Sequence, residues 1–364
     1  MKVCHITSAH PQHDVRILIK ECCSIAQKYD TSLIVVNGKN ETYNNVNIFS
    51  IECTINSRFD RFTKAVNLTL KKAIEINADI YHIHDPELLR IVPKLKKLNK
   101  KVIYDVHEDL PRQILSKPWI NVAIRKAIAN TVEWYENKIS KKCDGIITAT
   151  PFIEKRFSTI NKNTITINNF PLTKELQKTQ SNFKECNSVC YIGGISQIRG
   201  IKQMINSLSS LNDITLLLAG KFSSKRLKEE ISSLDGWKNV KELGQISREE
   251  SITIKKQSFA GLILFLPVPN HINAQPNKMF EYMASGIPVI ASNFPLWKEI
   301  IDNNNCGICV DPLNNNEIIN AITLLRKNPE LAKKMGGNGI KMVNERYNWE
   351  KEAIKLLHFY QKLK

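Results

Sequence analysis

Short β-branched apolar runs alternate along the chain with longer segments in which apolar residues recur every three or four positions. That alternation predicts parallel strands joined by crossover helices. In the first series, strands are expected near Lys2–Thr7, Thr31–Asn37, Val46–Ile51, Asp79–His84, Lys101–Val106, Gly145–Thr148 and Thr164–Ile167. Helices are expected over Asp14–Lys28, Phe59–Asn77, Pro86–Leu98 and Ala123–Ser140. A polar stretch, Thr173 to Asn187, interrupts the periodicity and reads as a linker. The series then restarts, with strands near Ser188–Ile192, Asp213–Ala219, Asn239–Glu242, Ala260–Leu266, Pro288–Ala291 and Gly307–Val310. Gly200–Leu211, Asn277–Ser285, Glu317–Lys327, Glu330–Asn344 and Trp349–Leu363 are the clearest helices of this half. The predicted domains are 1–172 and 188–345, joined by 173–187 and followed by a terminal helical segment, 346–364. Two doubly wound α/β domains bind ligands at the carboxyl ends of their strands, so the expected architecture is two facing Rossmann-like domains with the chemistry in a cleft between them.

Composition narrows the classes of function. Of 364 residues, 42% are hydrophobic and 24% charged, ordinary globular usage that excludes disorder as the main state. The formal charge of +17 is shared by both halves and favours anionic partners. Nine scattered Cys without scaffold spacing, and an opening MKVCHITSAH that reads as a strand rather than a leader, predict a cytoplasmic protein. The longest apolar run, Gly261 to Val268, is far short of the roughly 20 residues of a membrane span.

The most informative segment is Asn273–Ser292, NAQPNKMFEYMASGIPVIAS. Pro276 suits the first position of a helix, which places Asn277 and Lys278 in its first turn and Glu281 one turn on. Free backbone amides, the helix dipole and the Lys278 ammonium suit a diphosphate, and Glu281 suits a ribose. Upstream, YIGGISQIRGIKQMI joins a strand ending in Gly193-Gly194 to a helix through Arg199-Gly200, pointing a permanent cation at the same strand ends. Three loops of the first half present acid and imidazole groups at strand ends: His10, His13, Asp14 and Arg16; His82, His84 and Asp85; His107 and Glu108.

The segment around Glu281 resembles the donor-binding motif of GT-B glycosyltransferases of family 4. Glu281 matches the second Glu of its E-x7-E pair, and SGIPVIAS matches the strand that follows. Asn273 stands where the first Glu, which contacts the transferred sugar, is expected. Arg199 resembles the family's cation on the donor diphosphate, whereas the Arg usually found right after the first Gly is Gly194 here. The H-P-x-x-D-x-R-I, H-D-P-E and D-V-H-E-D segments are similar to those of a polysaccharide-assembly, O-antigen branch, and His107 matches a His that contacts the donor sugar. The resemblance implies a retaining, metal-independent hexosyl or N-acetylhexosaminyl transferase. Its donor is a nucleoside-diphosphate sugar, UDP-sugar favoured and GDP-sugar the alternative, with no further cofactor. The resemblance assigns Arg199, Lys278, Asn273 and His107 to catalysis and Gly193, Gly194, Arg199, Asn277, Lys278 and Glu281 to the nucleotide. The acceptor side takes His10, Asp14, Arg16, His84, Asp85 and Glu108. The acceptor is a lipid-linked glycan in bacterial surface polysaccharide synthesis, and the last helix returns to the first domain.

Other patterns read more plainly. Cys306 and Cys309 have redox or zinc spacing but no second ligand pair, so core packing is expected. His82 and His84 lie two apart on a strand with no fourth metal ligand evident. Six cations without an acid between Arg90 and Lys101, and the aromatic-basic stretch Gln113 to Lys138 with Trp119, Trp134 and Tyr135, suit a peripheral contact with the anionic inner face of a membrane. No nucleic-acid-binding signature accompanies the charge. The alternatives are a GT-B nucleotide-sugar epimerase or hydrolase and a non-catalytic nucleotide-sugar binder.

Overall fold

The computed structural model describes residues 1–117, 120–173 and 183–363. Trp119 and the linker residues 174–182 of the sequence reading lie outside the described residues. The chain divides into two units, Met1–Asn169 with Trp349–Lys364, and Phe170–Asn348.

In the first unit, β1 (Lys2–Ile6), β2 (Asp30–Val36), β3 (Glu41–Tyr43), β4 (Val46–Ile51), β5 (Ile80–Ile83), β6 (Lys101–Val106), β7 (Gly145–Thr148) and β8 (Thr164–Thr166) form one sheet, ordered β3-β4-β2-β1-β5-β6-β7-β8. All pairs are parallel except β3 with β4. The near-continuous burial of β1, β5 and β7 explains why their sequences are mainly apolar, with His5, His82 and Thr148 as buried polar exceptions. β3 was not expected: its residues are polar, and its pairing comes from the turn Asn44-Asn45, both at positive φ as a tight hairpin requires.

In the second unit, β9 (Ser188–Ile192), β10 (Thr215–Ala219), β11 (Val240–Gly244), β12 (Ala260–Ile263), β13 (Val289–Ser292) and β14 (Gly307–Val310) are ordered β11-β10-β9-β12-β13-β14, all parallel. This is the doubly wound order, and it reverses direction between β9 and β12. Close packing at that point relies on two glycines. A Cβ on Gly261 would meet the Tyr282 ring at 2.2 Å, and one on Gly200, at φ +74°, would meet the Leu264 carbonyl at 1.7 Å.

The final helix, Trp349–Lys362, belongs to the first unit. Trp349 Nε1 donates to Ser24 Oγ at 3.0 Å, and Glu352 Oε2 accepts from the Asn168 backbone amide at 2.8 Å. Gly145 lacks a side chain where Phe359 packs, its would-be Cβ lying 2.5 Å from the ring. The two units divide at 169/170 and 348/349. Glu352→Ala leaves the buried Asn168 amide without its acceptor, so chemical denaturation is expected to show a loss of about 1–3 kcal/mol. An unchanged midpoint would remove this contact from the account of how the last helix is held.

Candidate functional site

β9 ends in Tyr191-Ile192 and turns through Gly193, at φ +137°, into Gly194. The helix Asn277–Ala284 follows the loop after β12. Pro276, with ψ 126°, is extended and caps this helix, so the first helical residue is Asn277, one position later than proline's preference suggests. The strand and helix are tied together, since the Ile192 amide donates to the Tyr282 hydroxyl at 3.0 Å.

Two cations converge on the glycines. Lys278 Nζ donates to the Tyr191 hydroxyl at 3.0 Å and lies 4.1 Å from the centre of that ring. Arg199 Nη1 donates to the Gly194 carbonyl at 3.0 Å, and its guanidinium carbon is 5.7 Å from the centre of the Phe265 ring. A Cβ on Gly193 would meet Lys278 Nζ at 2.6 Å, and one on Gly194 would meet Arg199 Nη1 at 2.7 Å. Each missing side chain is therefore the space a cation occupies. Burial, reinforced by Arg199, lowers the Lys278 ammonium to about 7, an effect Glu281 offsets only in part. Burial likewise lowers His271, whose Nδ1 is 3.2 Å from the Leu266 carbonyl, to about 4. Two half-buried cations, Lys278 in the first turn of a helix and Arg199 beside it, at the switch of a doubly wound sheet can neutralise a diphosphate.

Around this pair, Glu281 is half-buried, Asn277 is exposed, and Asn273 is half-buried in the loop before the helix. Trp297 Nε1 pins that loop by donating to the Ala274 carbonyl at 2.7 Å. Sequence reasoning did not single out Tyr191, Phe265, His271 or Tyr282; the signal was aromatic residues beside the glycine pair and at the strand end. Cys306 is buried and its thiol, desolvated, is pushed up to about 12; the nine cysteines are all free.

In the first unit, the three loops meet at the carboxyl ends of β1, β5 and β6. His107 Nε2 and Asp105 Oδ2 are 2.8 Å apart, and His84 Nδ1 is 3.2 Å from both. The His10 ring centre lies 4.9 Å from that of His107, and His10 Nδ1 is 3.3 Å from Asp14 Oδ2. That hydrogen bond, against burial and with help from Asp85, raises His10. Burial works upward on Asp14, yet His10 and the Ile17 amide hold it at about 2. Asp14 also caps the helix Val15–Cys22 through the Arg16 and Ile17 amides.

Of the acceptor-side candidates, Arg16, His84 and Asp85 are buried with their polar atoms engaged. Arg16 gives Nε and Nη2 to Asp105 at 3.1 and 2.8 Å and Nη1 to the Ile167 carbonyl at 3.0 Å. Asp85 accepts from Thr7 Oγ1 at 2.8 Å and from the Ser8 amide at 2.6 Å, closing the loop after β1. His10, Asp14 and His107 keep partial exposure, and Glu108 is exposed and bonded to Gln113. The fold also adds His5, Glu21, Asp105 and Tyr360 to this region. His5, Glu21 and Tyr360 escaped notice because a lone His on a strand, a Glu inside a helix and a Tyr in the last helix carry no local signal, whereas Asp105 stands in the D-V-H-E-D segment without a role of its own.

Comparison with known proteins bears on the fold. Residues 173–342 match the family model of glycosyl transferases group 1. An uncharacterized glycosyltransferase of Methanocaldococcus jannaschii is 24% identical over 220 residues, which are 60% of this chain and 60% of that protein. Sucrose-phosphate synthase from Thermosynechococcus elongatus superposes with TM-score 0.82 at 18% identity, over 100% of this chain and 99% of the other. The Anabaena protein HepE, solved in complex with UDP-glucose, superposes with TM-score 0.76 at 13% identity, over 100% of both chains. The fold is GT-B, and residues 173–342 are the part of the chain that is similar to the group 1 glycosyl transferases.

A half-buried cation that Glu281 compensates only in part destabilises the free protein. Lys278→Met is expected to raise stability by about 1–4 kcal/mol while abolishing any thermal shift caused by nucleoside diphosphates. The unfolded lysine binds its proton up to about 10.5 and the folded one only up to about 7, so wild-type stability rises between those values. The variant's advantage is therefore largest below pH 7 and fades towards pH 10.5. A variant less stable than wild type at pH 6 would refute this account of Lys278.

Proposed function

We propose that the protein is a retaining glycosyltransferase that moves a hexosyl or N-acetylhexosaminyl group from a nucleoside-diphosphate sugar to a hydroxyl of a lipid-linked glycan, in bacterial surface polysaccharide synthesis. The observation that carries the proposal is the Lys278 and Arg199 pair, which rests on Tyr191 and the Gly194 carbonyl and, among the described residues, forms no carboxylate ion pair. Such preorganised cations stabilise the charge that develops on a departing diphosphate, without a metal ion at the phosphates. The Asn277 end of the helix adds its dipole, Gly193 and Gly194 allow close backbone approach, and Glu281 holds the ribose. Asn273 and His107 contact the transferred sugar. The leaving phosphate oxygen takes the proton of the acceptor hydroxyl on the same face, so no separate general base is needed. His10, Asp14 and Glu108 line the acceptor side, while Arg16, His84 and Asp85 hold them in place from below. A UDP-sugar is the favoured donor, in keeping with the UDP-glucose bound by HepE, and a GDP-sugar is the alternative.

The test is a thermal-shift panel of UDP, GDP, CMP and ADP with their sugars, without metal, followed by donor turnover with and without glycan acceptor. UDP at 100 times its dissociation constant is expected to add about 2.7 kcal/mol of stability. A bound diphosphate raises the Lys278 ammonium, so UDP affinity is expected to fall as pH rises above about 7, by up to tenfold per unit. No shift with any nucleotide sinks the donor site. Donor hydrolysis or epimerisation indifferent to acceptor would replace transfer with the rival activity.

Membrane attachment rests on the helix Val122–Ser140, where Val122, Ile124 and Trp134 are 76%, 53% and 61% exposed beside exposed Lys126 and Lys138. The described helices contain none long and apolar enough to cross a membrane. Sedimentation with liposomes containing anionic lipid is expected at low salt and is lost at high salt, with about 1 kcal/mol per basic residue near the surface. A protein left in the supernatant at low salt would rule out the contact.

A further inference from the structure

One face of the first sheet carries a buried cluster of which the proposed transfer reaction uses only His84, and that as a support. His5 on β1 is the cross-strand partner of His82 on β5, and His84 follows His82 two residues on, on the same face. Glu21 reaches this face from the helix Val15–Cys22. All four side chains are buried, and one ligand atom of each lies within 4.8 Å of those of the other three.

The hydrogen bonds divide each imidazole into an inner and an outer nitrogen. On the inside, His5 Nδ1 and His84 Nε2 face each other at 2.9 Å, and His82 Nε2 lies 4.0 Å from Glu21 Oε2. On the outside, His82 Nδ1 and His5 Nε2 lie 2.8 and 3.4 Å from the Tyr360 hydroxyl, while His84 Nδ1 is 3.2 Å from Asp105 Oδ2 and also 4.0 Å from Glu21 Oε2. Histidines that hold a metal are arranged in this way, each donating its second N–H to a hydroxyl, carbonyl or carboxylate. The inner atoms are poorly served by protein alone. His82 Nε2 and both Glu21 oxygens lack a hydrogen bond, Glu21 retaining an ion pair to Arg16 Nε at 3.0 Å. Buried polar atoms left in this state cost free energy that a bound cation removes.

We propose that His5, Glu21, His82 and His84 bind one divalent transition-metal ion of the zinc class as a closed structural site. Three imidazoles and a carboxylate are borderline ligands that suit zinc. Bonds of 2.0–2.2 Å set tetrahedral ligand separations of about 3.4 Å, a value bracketed by the 2.9 and 4.0 Å edges. With four protein ligands the ion keeps no open position for substrate, so its role is to clamp β1, β5 and the helix Val15–Cys22, and through Tyr360 the last helix. The neighbouring trio of His84, Asp105 and His107 also converges, but Asp105 there is already saturated by Arg16 and His107, and its atoms need no ion.

The test is elemental analysis of the full chain, produced without a histidine tag and passed through a chelating column, both as purified and after refolding in excess zinc. About one equivalent of zinc per chain is expected, since a site of this burial loads as the chain folds. The same value is expected for His13→Gln, outside the cluster, and less than about a tenth for Glu21→Gln and His82→Gln. Should those variants fail to fold, wild-type protein refolded with cobalt(II) reads the site directly by the strong visible absorption of a tetrahedral ion. Wild-type protein that retains under about a tenth of an equivalent of zinc after refolding, or takes up cobalt without that absorption, overturns the proposal.

Discussion

Removing a cation from water without giving it a carboxylate costs several kcal/mol, a large share of what holds a domain folded. The second unit tolerates this at Lys278, with Arg199 close enough to add repulsion. Much of the surrounding packing exists to keep the two cations where they are. The Ile192 amide and Tyr282 hydroxyl lock the strand that carries Tyr191 to the helix that carries Lys278. Gly200 lets its turn lie against the Leu264 carbonyl, which brings the Arg199 turn close to the end of β12. Ring faces supply part of what water would have supplied, because their negative quadrupoles attract the ammonium and guanidinium. An anion entering here would relieve the arrangement, which is the condition that the proposed donor site needs to bind a leaving group more tightly as its charge grows.

The first unit handles buried charge in the opposite way, by pairing it internally. Burial alone would push Asp105 upward, but Arg16, His107 and His84 together hold it well below the usual carboxylate range. Arg16 is thereby consumed as a support: its bidentate contact with Asp105 fixes the carboxylate that in turn orients His107. This explains why three imidazole-bearing loops meet at one sheet edge with His84 buried, His10 and His107 half-buried and His13 exposed. The two units thus divide the electrostatic work, one holding positive charge that among the described residues forms no carboxylate ion pair and the other a neutralised scaffold under two half-buried rings.

The strand series was legible because central parallel strands are buried on both faces and leave no polar alternation to confuse them. β3 was not, since a three-residue polar edge strand owes its existence to the Asn44-Asn45 turn rather than to hydrophobic pattern. The cation pair was legible from Gly193-Gly194, Arg199-Gly200 and the helix start at Asn277, because each depends on local backbone geometry. What supports that pair was not: Tyr191 and Lys278 are 87 positions apart, and nothing in either segment announces the other. The same holds for His82 and Tyr360, 278 positions apart, whose contact depends on the last helix packing against the first sheet. Residues that act through long-range contacts are chosen by topology, and topology was available only as an order of strands.

The departure at Gly194 illustrates how one position depends on another. Read as sequence, a glycine where the family resemblance places an arginine is a missing phosphate clamp. In the folded chain the volume a side chain would need at 194 is held by Arg199, whose Nη1 would lie 2.7 Å from a Cβ there and which bonds the Gly194 carbonyl. An arginine at 194 would require the Arg199 guanidinium, the far end of a flexible side chain, to move from its present place. The space beside Tyr191 and Phe265 already holds Lys278 and Arg199. Glycine at 194 is the residue that lets Arg199 reach inward from the following turn.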